Sequence, residues 1–306
     1  MIHHELSRRD FVARLSMAGA ATALGGSALL PVQAAATQRF KIIAFTKPFR
    51  TLNAAQTADL VADVGWDGVE LPVRSKDGQI TPEKVEDELP HFVEAFRARQ
   101  REVSIITTDI TSVTPTAEKV LRTASKLGIK RYRLGFYNYA KDKPIPDQLK
   151  EVGARLRELA ALNKELGLQA GFQNHSGDSR VGAPIWDIWT MIKDLDPKAM
   201  GICFDIGHAT IEGGLAWPIH FRMATPHLTA VFVKDFYWKK TAKDWKMEWC
   251  PLGEGMVKRD FFNRLKATDY AGPICQHHEY ELGTAAEMRA HFKKDLATLR
   301  ECLGKV

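Results

Sequence analysis

The stretch LQAGFQNHSGD, residues 168–178, runs from a largely apolar segment directly into polar side chains. A short apolar segment of this kind, bounded by turn residues, reads as the end of a buried strand. The polar residues Gln173, Asn174 and His175 then fall where that strand stops. Seven other segments have the same build, at 41–46, 68–73, 103–110, 131–137, 201–206, 229–236 and 273–280. Amphipathic stretches separate them. One carries Leu156, Leu159 and Leu166 with charged residues opposite. The last carries Met288, Phe292, Leu296, Leu299 and Leu303 at spacings of three and four, which places them on one helical face. Strand–helix units with buried strands imply a parallel sheet. Eight of them predict a single α/β domain, a (β/α)8 barrel. An open doubly wound sheet fits less well, because eight units is many for it. No phosphate-cradling glycine motif follows the first strand either.

In such a barrel, chemistry belongs at the C-terminal ends of the strands. The ends here carry Glu70 and Arg74, Asp109, then Gln173, Asn174 and His175, then Asp205 and His208, Lys234 and Asp235, and finally His277, His278 and Glu279. A single polar strand end is ordinarily a cap or a loop hydrogen bond. A set on four consecutive strands converges on one mouth, and burying it without a ligand would be costly. Alternation along the strands sharpens the expectation. If Asp205 points inward, so does Cys203, while Phe204 faces the helices. Lys234 takes Phe232 inward with it. Glu279 takes His277 and Cys275, and turns His278 outward.

GVEL on the second strand, FDIGHA on the sixth, VKD on the seventh, PLGEG after it and HHEY on the eighth together resemble the xylose isomerase-like TIM-barrel superfamily. That group holds sugar-phosphate isomerases and epimerases, inosose dehydratases and type IV endonucleases. The resemblance covers residues 40–303. It implies one divalent metal ion, Mn2+ foremost, with Co2+, Zn2+ or Fe2+ as alternatives. In sugar-acting members the ion is held by a Glu ending strand five, an Asp ending strand six, a His on strand seven and a Glu ending strand eight. Asp205 and Glu279 match. Gln173 stands at the strand-five Glu and Phe232 at the histidine, while His208 matches the DxGH histidine that contacts substrate or metal. The expected metal ligands are therefore Gln173, Asp205, Glu279 and His208. Gln173 would offer an oxygen without a charge.

The amide also bears on mechanism, because it cannot take a proton as the second carboxylate of an epimerase would. One base beside a Lewis acid still suffices for elimination next to a ketone. The expected activity is proton abstraction beside a sugar carbonyl, either by a lyase on keto-sugars or keto-glycosides or by an isomerase or epimerase. Lys234, His208 and His175 are the catalytic candidates. Glu70, Asn174, Trp238 and Trp249 are the substrate-binding candidates. Both tryptophans lie in a long segment, 236–255, that reads as a lid. The competing reading is a non-catalytic carbohydrate-binding barrel with a degenerate metal site.

The chain has 306 residues, 45% apolar and 26% charged, with a net charge of +6. Its lysines and arginines are scattered among acidic residues, so the basic excess reads as solvated surface. A nuclease of this superfamily would need a histidine-rich three-metal site, from which Phe232 removes a ligand. Nucleic acid is not an expected partner. At the N-terminus, Ser7-Arg8-Arg9-Asp10-Phe11 followed by an Ala/Gly-rich stretch is similar to the twin-arginine (Tat) consensus, departing from it at Val12 and Ala13. Residues 1–36 are expected to be a signal peptide and 37–306 the barrel, periplasmic or exported, with the Tat translocase as partner during export and a small carbohydrate as substrate. The apolar run is short, glycine-rich and followed by Pro31, so stable membrane insertion is not expected. Cys203, Cys250, Cys275 and Cys302 show no zinc spacing and read as packed thiols.

Overall fold

The computed structural model describes residues 40–304, and the twin-arginine segment with its boundary at residue 36 lies outside the described residues. Eight parallel strands close into a barrel: β1 (Ile42–Phe45), β2 (Gly68–Val73), β3 (Glu102–Thr108), β4 (Arg131–Arg133), β5 (Gln169–Gln173), β6 (Met200–Asp205), β7 (Leu228–Val233) and β10 (Ile274–Gln276). They neighbour one another in chain order, and β10 closes the ring between β7 and β1. The expected barrel is thus the observed one. Among the described residues no helix is long and apolar enough to cross a membrane.

Two cores follow from the pleat. Ile43, Phe45, Ile105, Cys203, Ala230, Phe232 and Cys275 fill the barrel interior as one small cluster. Val69, Leu71, Phe204, Val231 and Ile274 point the other way, into the large core shared with the helices. The inward set includes Cys203, Phe232 and Cys275, as alternation from Asp205, Lys234 and His277 requires. His278 lies outside, against Trp66 and Phe292, with ring centroids 5.8 and 4.6 Å away. The four cysteines are free thiols. The register slips once between β2 and β3, at Val69/Glu70, and once between β6 and β7, at Ile202/Cys203. Such bulges re-aim side chains, and these two fall on the strands that carry Glu70 and Asp205.

The segment after β7 is not a loop throughout. β8 (Asp235–Lys240) pairs antiparallel with β9 (Trp245–Cys250), with Phe236 opposite Trp249 and Trp238 opposite Met247. Its lysines and aromatics alternate on a two-stranded ribbon without a core of its own, so the usual apolar strand signal is missing. The turn is closed by Thr241, whose Oγ1 accepts from the Asp244 N–H at 2.9 Å.

Asp235 anchors this ribbon. Its carboxylate accepts backbone N–H bonds from Phe236 (2.8 Å), Val257 (2.9 Å), Gly253 (3.0 Å) and Gly255 (3.1 Å). A Cβ at Gly255 would lie 2.4 Å from Asp235 Oδ1, so only glycine permits this approach. The PLGEG segment is therefore a cradle for one buried carboxylate. Asp235→Ala should cost about 3 kcal/mol of stability, because two buried and two part-buried backbone donors lose a charged acceptor. Chemical denaturation should show it, and amide hydrogen exchange at Gly253, Gly255 and Val257 should accelerate. Unchanged exchange there would reject the anchoring role.

Candidate active site

The site is built outward from Asp205, the last residue of β6. Asp205 is fully buried and caps the helix Ile206–Gly213, its Oδ1 accepting from the His208 N–H at 3.1 Å. Asn174, one residue beyond β5, clamps the Asp205 backbone on both sides. Its Nδ2 donates to the Asp205 carbonyl at 3.0 Å and its Oδ1 accepts from the Asp205 N–H at 2.8 Å. Gln173 donates from Nε2 to Asp205 Oδ2 at 2.9 Å, while its Oε1 accepts from Arg133 Nη1 at 2.6 Å. Only this amide orientation satisfies both neighbours, since a guanidinium cannot accept and a carboxylate cannot donate.

Lys234 follows β7 and is almost fully buried. Its ammonium lies 3.3 Å from Asp205 Oδ2 and 3.1 Å from Glu279 Oε2. The Trp249 indole covers it, with the ring centroid 4.4 Å from Nζ. Lys47 approaches the other oxygen of Glu279 at 3.6 Å from the edge of the mouth. Burial raises the Glu279 acid, but the neighbouring Lys234 charge, helped by His277 and Lys47, outweighs it and holds the carboxyl well below the usual range.

Two histidines face this trio. The His175 and His208 rings lie 3.8 Å apart, and His208 meets Trp249 edge-on at 5.3 Å. Burial lowers His175 to about 4, with the Lys234 charge adding to the effect. The same two causes, joined by His175, drive His208 well below its ordinary value. Both rings are neutral at neutral pH. His175 Nδ1 lies 2.9 Å from the Ser176 carbonyl, so that nitrogen carries the proton and Nε2 keeps a lone pair. His208 Nδ1 meets Ser176 Oγ at 2.7 Å. Its Nε2 is buried without a hydrogen-bond partner, 3.8 Å from Asp205 Oδ2.

Beneath the mouth lies a second polar layer. Glu70 is fully buried and accepts from Thr107 Oγ1, from His277 Nε2 at 2.8 Å and from Cys275 Sγ at 3.2 Å. Arg133 Nε lies 3.4 Å from Oε1, the oxygen that Thr107 also meets, while His277 and Cys275 meet Oε2. Burial raises this acid, but Arg133 and His277 outweigh it and bring Glu70 down to about 2. His277 is sandwiched between Phe45 and Phe232, with ring centroids 4.7 and 4.5 Å away. Arg133 lies over the Phe45 ring at 5.1 Å and joins the two layers, touching Glu70 below and Gln173 above.

The expected residues thus divide. Asp205, Glu279, Lys234, His208, His175, Gln173 and Trp249 come together. Asn174 does not present its amide to a substrate, because both ends are spent on the Asp205 backbone. Glu70 is fully buried under the mouth, engaged by Arg133 and His277. Trp238 sits out on the hairpin, 43% exposed, against Phe236. Lys234 pairs with Asp205 and Glu279, and Asp235 is taken by backbone donors. Arg133 and Lys47 were missed. An inward-facing arginine in RYR, with Tyr132 turned to the outer core, was a usable signal for Arg133. Lys47 had none.

The xylose isomerase-like TIM barrel family matches residues 58–302. The chain belongs to that family. No curated protein matches it as a relative. Among solved structures it is similar to a 3-keto-D-glucoside 4-epimerase from E. coli, at 17% identity and a TM-score of 0.67, covering 86% of this chain and 100% of the other. A xylose isomerase-like TIM barrel protein from Mycobacterium smegmatis, in complex with magnesium, gives 16% identity and a TM-score of 0.65, covering 87% and 98%. A probable 3-DHS dehydratase from Bacillus anthracis gives 15% identity and a TM-score of 0.65, covering 85% and 98%.

Within this family member, the ligand set expected for a divalent ion is arranged around an ammonium. A dication bound between Asp205 and Glu279 would need the place that Lys234 Nζ holds. Gln173 turns its N–H, not its oxygen, toward Asp205, and Phe232 has no lone pair. As arranged, these side chains do not fit a divalent ion. Elsewhere, Glu70, Cys275 and His277 bring three ligand atoms within 4.8 Å of one another, a possible metal-binding group among the described residues. Glu70 is there already engaged by Arg133 and Thr107.

The depressed acid of Glu70 links stability to pH. Its folded value lies below the ordinary 4.5, so its contribution is complete above about 4.5 and disappears as pH falls toward about 2. The loss amounts to about 3 kcal/mol for this fully buried group. Glu70→Gln should be less stable at neutral pH by about 3–5 kcal/mol, because Arg133 is left without its partner. Urea denaturation between pH 5 and pH 2, over roughly the window of the shift, should then show a flatter slope in the variant than in wild type. Parallel slopes would reject the assignment.

Proposed function

We propose that this chain is a carbohydrate-acting enzyme that removes a proton from carbon next to a sugar carbonyl, and that its reaction is elimination on a keto-sugar or keto-glycoside. The observation that carries this reading is the pair of neutral imidazoles, His175 and His208, with ring centroids 3.8 Å apart beside Lys234 at the barrel mouth. His175 Nε2, with its lone pair, suits the base. The Lys234 ammonium suits the oxygen on which negative charge develops. His208, held by Ser176, suits the proton donor to the departing oxygen. Gln173 has no proton-accepting form, which disfavours two-carboxylate epimerisation. The structural neighbours support the substrate class: one is named for a 3-keto-glucoside and another is named a dehydratase.

Trp249 supports a sugar face above Lys234, and Phe236, Trp238 and Met247 continue the same face of the hairpin outward. Mn2+, or Co2+, Zn2+ or Fe2+, would enter this reading only if Lys234 withdrew from both carboxylates. The twin-arginine motif supports export through the Tat system to the periplasm or beyond.

The test uses purified protein and a synthetic aryl 3-keto-glucoside in D2O. NMR reads deuterium at the carbon next to the ketone, and absorbance reads the enone and the released phenol. Turnover to the enone is expected, and His175→Ala should slow it by about 100-fold or more. Saturable binding with neither exchange nor product would instead establish the non-catalytic carbohydrate-binding barrel.

A further inference from the structure

We infer that the Lys234 ammonium stands in the place of the divalent ion, so that this family member polarises its substrate with a proton donor of its own. The inference rests on the substrate reading above, but its grounds are geometric. Nζ lies between the two acidic strand ends, 3.3 Å from Asp205 and 3.1 Å from Glu279. The fold makes room for it there. A Cβ at Gly207, in FDIGH, would lie 2.9 Å from Lys234 Cγ and 3.0 Å from its carbonyl oxygen, so glycine is what lets the lysine stem lie across the helix start. Trp249 then covers the ammonium from above.

The surroundings are matched to a single positive charge. At Gln173 an amide replaces the acid, and its oxygen is taken by Arg133. A carboxylate at that position would meet Asp205 Oδ2, now 2.9 Å from the amide nitrogen, as a like charge. Phe232 stacks on His277 and leaves no nitrogen facing the mouth. Asp205 and Glu279 both face Lys234, so a dication could enter only by displacing the ammonium.

An ammonium has three N–H donors. One donates to Glu279 Oε2 and the group pairs with Asp205 by charge, which leaves a donor for a substrate oxygen. In the elimination, the base takes the proton from carbon. The C–H electron pair becomes the carbon–carbon π bond, and the carbonyl π pair moves onto oxygen, where Lys234 meets it. When the carbonyl re-forms, the β carbon–oxygen bond breaks and the departing oxygen takes a proton. One proton leaves the substrate and one returns, with no oxidant or reductant consumed.

The decisive experiment titrates the purified chain with Mn2+ by calorimetry and measures bound metal by elemental mass spectrometry. Wild type should take up no Mn2+ at about 100 μM, because the ammonium holds the site. Lys234→Met should bind Mn2+ at least about 10-fold more tightly than wild type, since two acidic groups then lack a cation. Lys234→Arg, which keeps the charge, should exclude it as wild type does. Circular dichroism checks that each variant is folded. Turnover of the keto-glucoside should survive EDTA in wild type and fall about 100-fold in Lys234→Met.

One Mn2+ per wild-type chain, lost in Asp205→Asn, would overturn the inference. So would chelator-sensitive turnover restored by Mn2+, or a folded Lys234→Met variant that takes up none. Should that variant not fold, the wild-type titration and the chelator arm decide alone. If no keto-glucoside is turned over, the Mn2+ titrations still decide the place of Lys234, and the failure falls on the substrate reading only.

Discussion

The contact of one ammonium with two acidic groups governs the barrel mouth. Lys234 is buried, and a buried cation persists only when paired and hydrogen-bonded. Everything near it serves that pairing. Asn174 fixes the Asp205 backbone, the start of the helix Ile206–Gly213 fixes one Asp205 oxygen, and Gln173 and Lys234 share the other. Glu279 arrives from beyond β10, braced from outside by Lys47. The neighbouring Asp235 takes no part in the pairing. It ties the PLGEG segment to the base of the hairpin that brings Trp249 over the ammonium.

Below this mouth the barrel interior is not simply apolar. Glu70 and Arg133 form a buried ion pair inside a ring of Phe45, Phe232 and His277. The guanidinium reaches both layers, and through Gln173 it sets which end of the amide faces Asp205. The aromatic rings give that cation a wall it can face without water. The mouth therefore inherits its polarity from a residue buried beneath it.

Much of the barrel was legible because its strands announce themselves by apolar runs and its helices by three-and-four spacing. Alternation also placed Cys203, Phe232 and Cys275 inside and Phe204 and His278 outside, since a strand allows only two directions. Asp205, Lys234, His208 and Glu279 were legible as strand ends. What escaped depends on distances across the barrel. Glu70 ends buried under Arg133 and His277, and no pattern along β2 encodes a partner 63 or 207 residues away. Asn174 looks like a ligand in sequence, but its short amide matches the backbone of the neighbouring strand. The hairpin escaped because only Asp235, Phe236 and Cys250 of its strands are buried, too few for an apolar strand pattern.

The stack of Phe232 on His277 has a consequence for how such a mouth changes over evolutionary time. A four-ligand ion site would need a histidine at 232, an acid at 173 and a displaced lysine. Histidine at 232 removes a packed ring from beneath Arg133. An acid at 173 sets Arg133 between two carboxylates while repelling Asp205. Loss of the lysine leaves the buried Asp205 and the partly buried Glu279 without their shared cation. Each single step carries a stability cost of its own, so the neighbours that hold Lys234 in place also oppose its replacement.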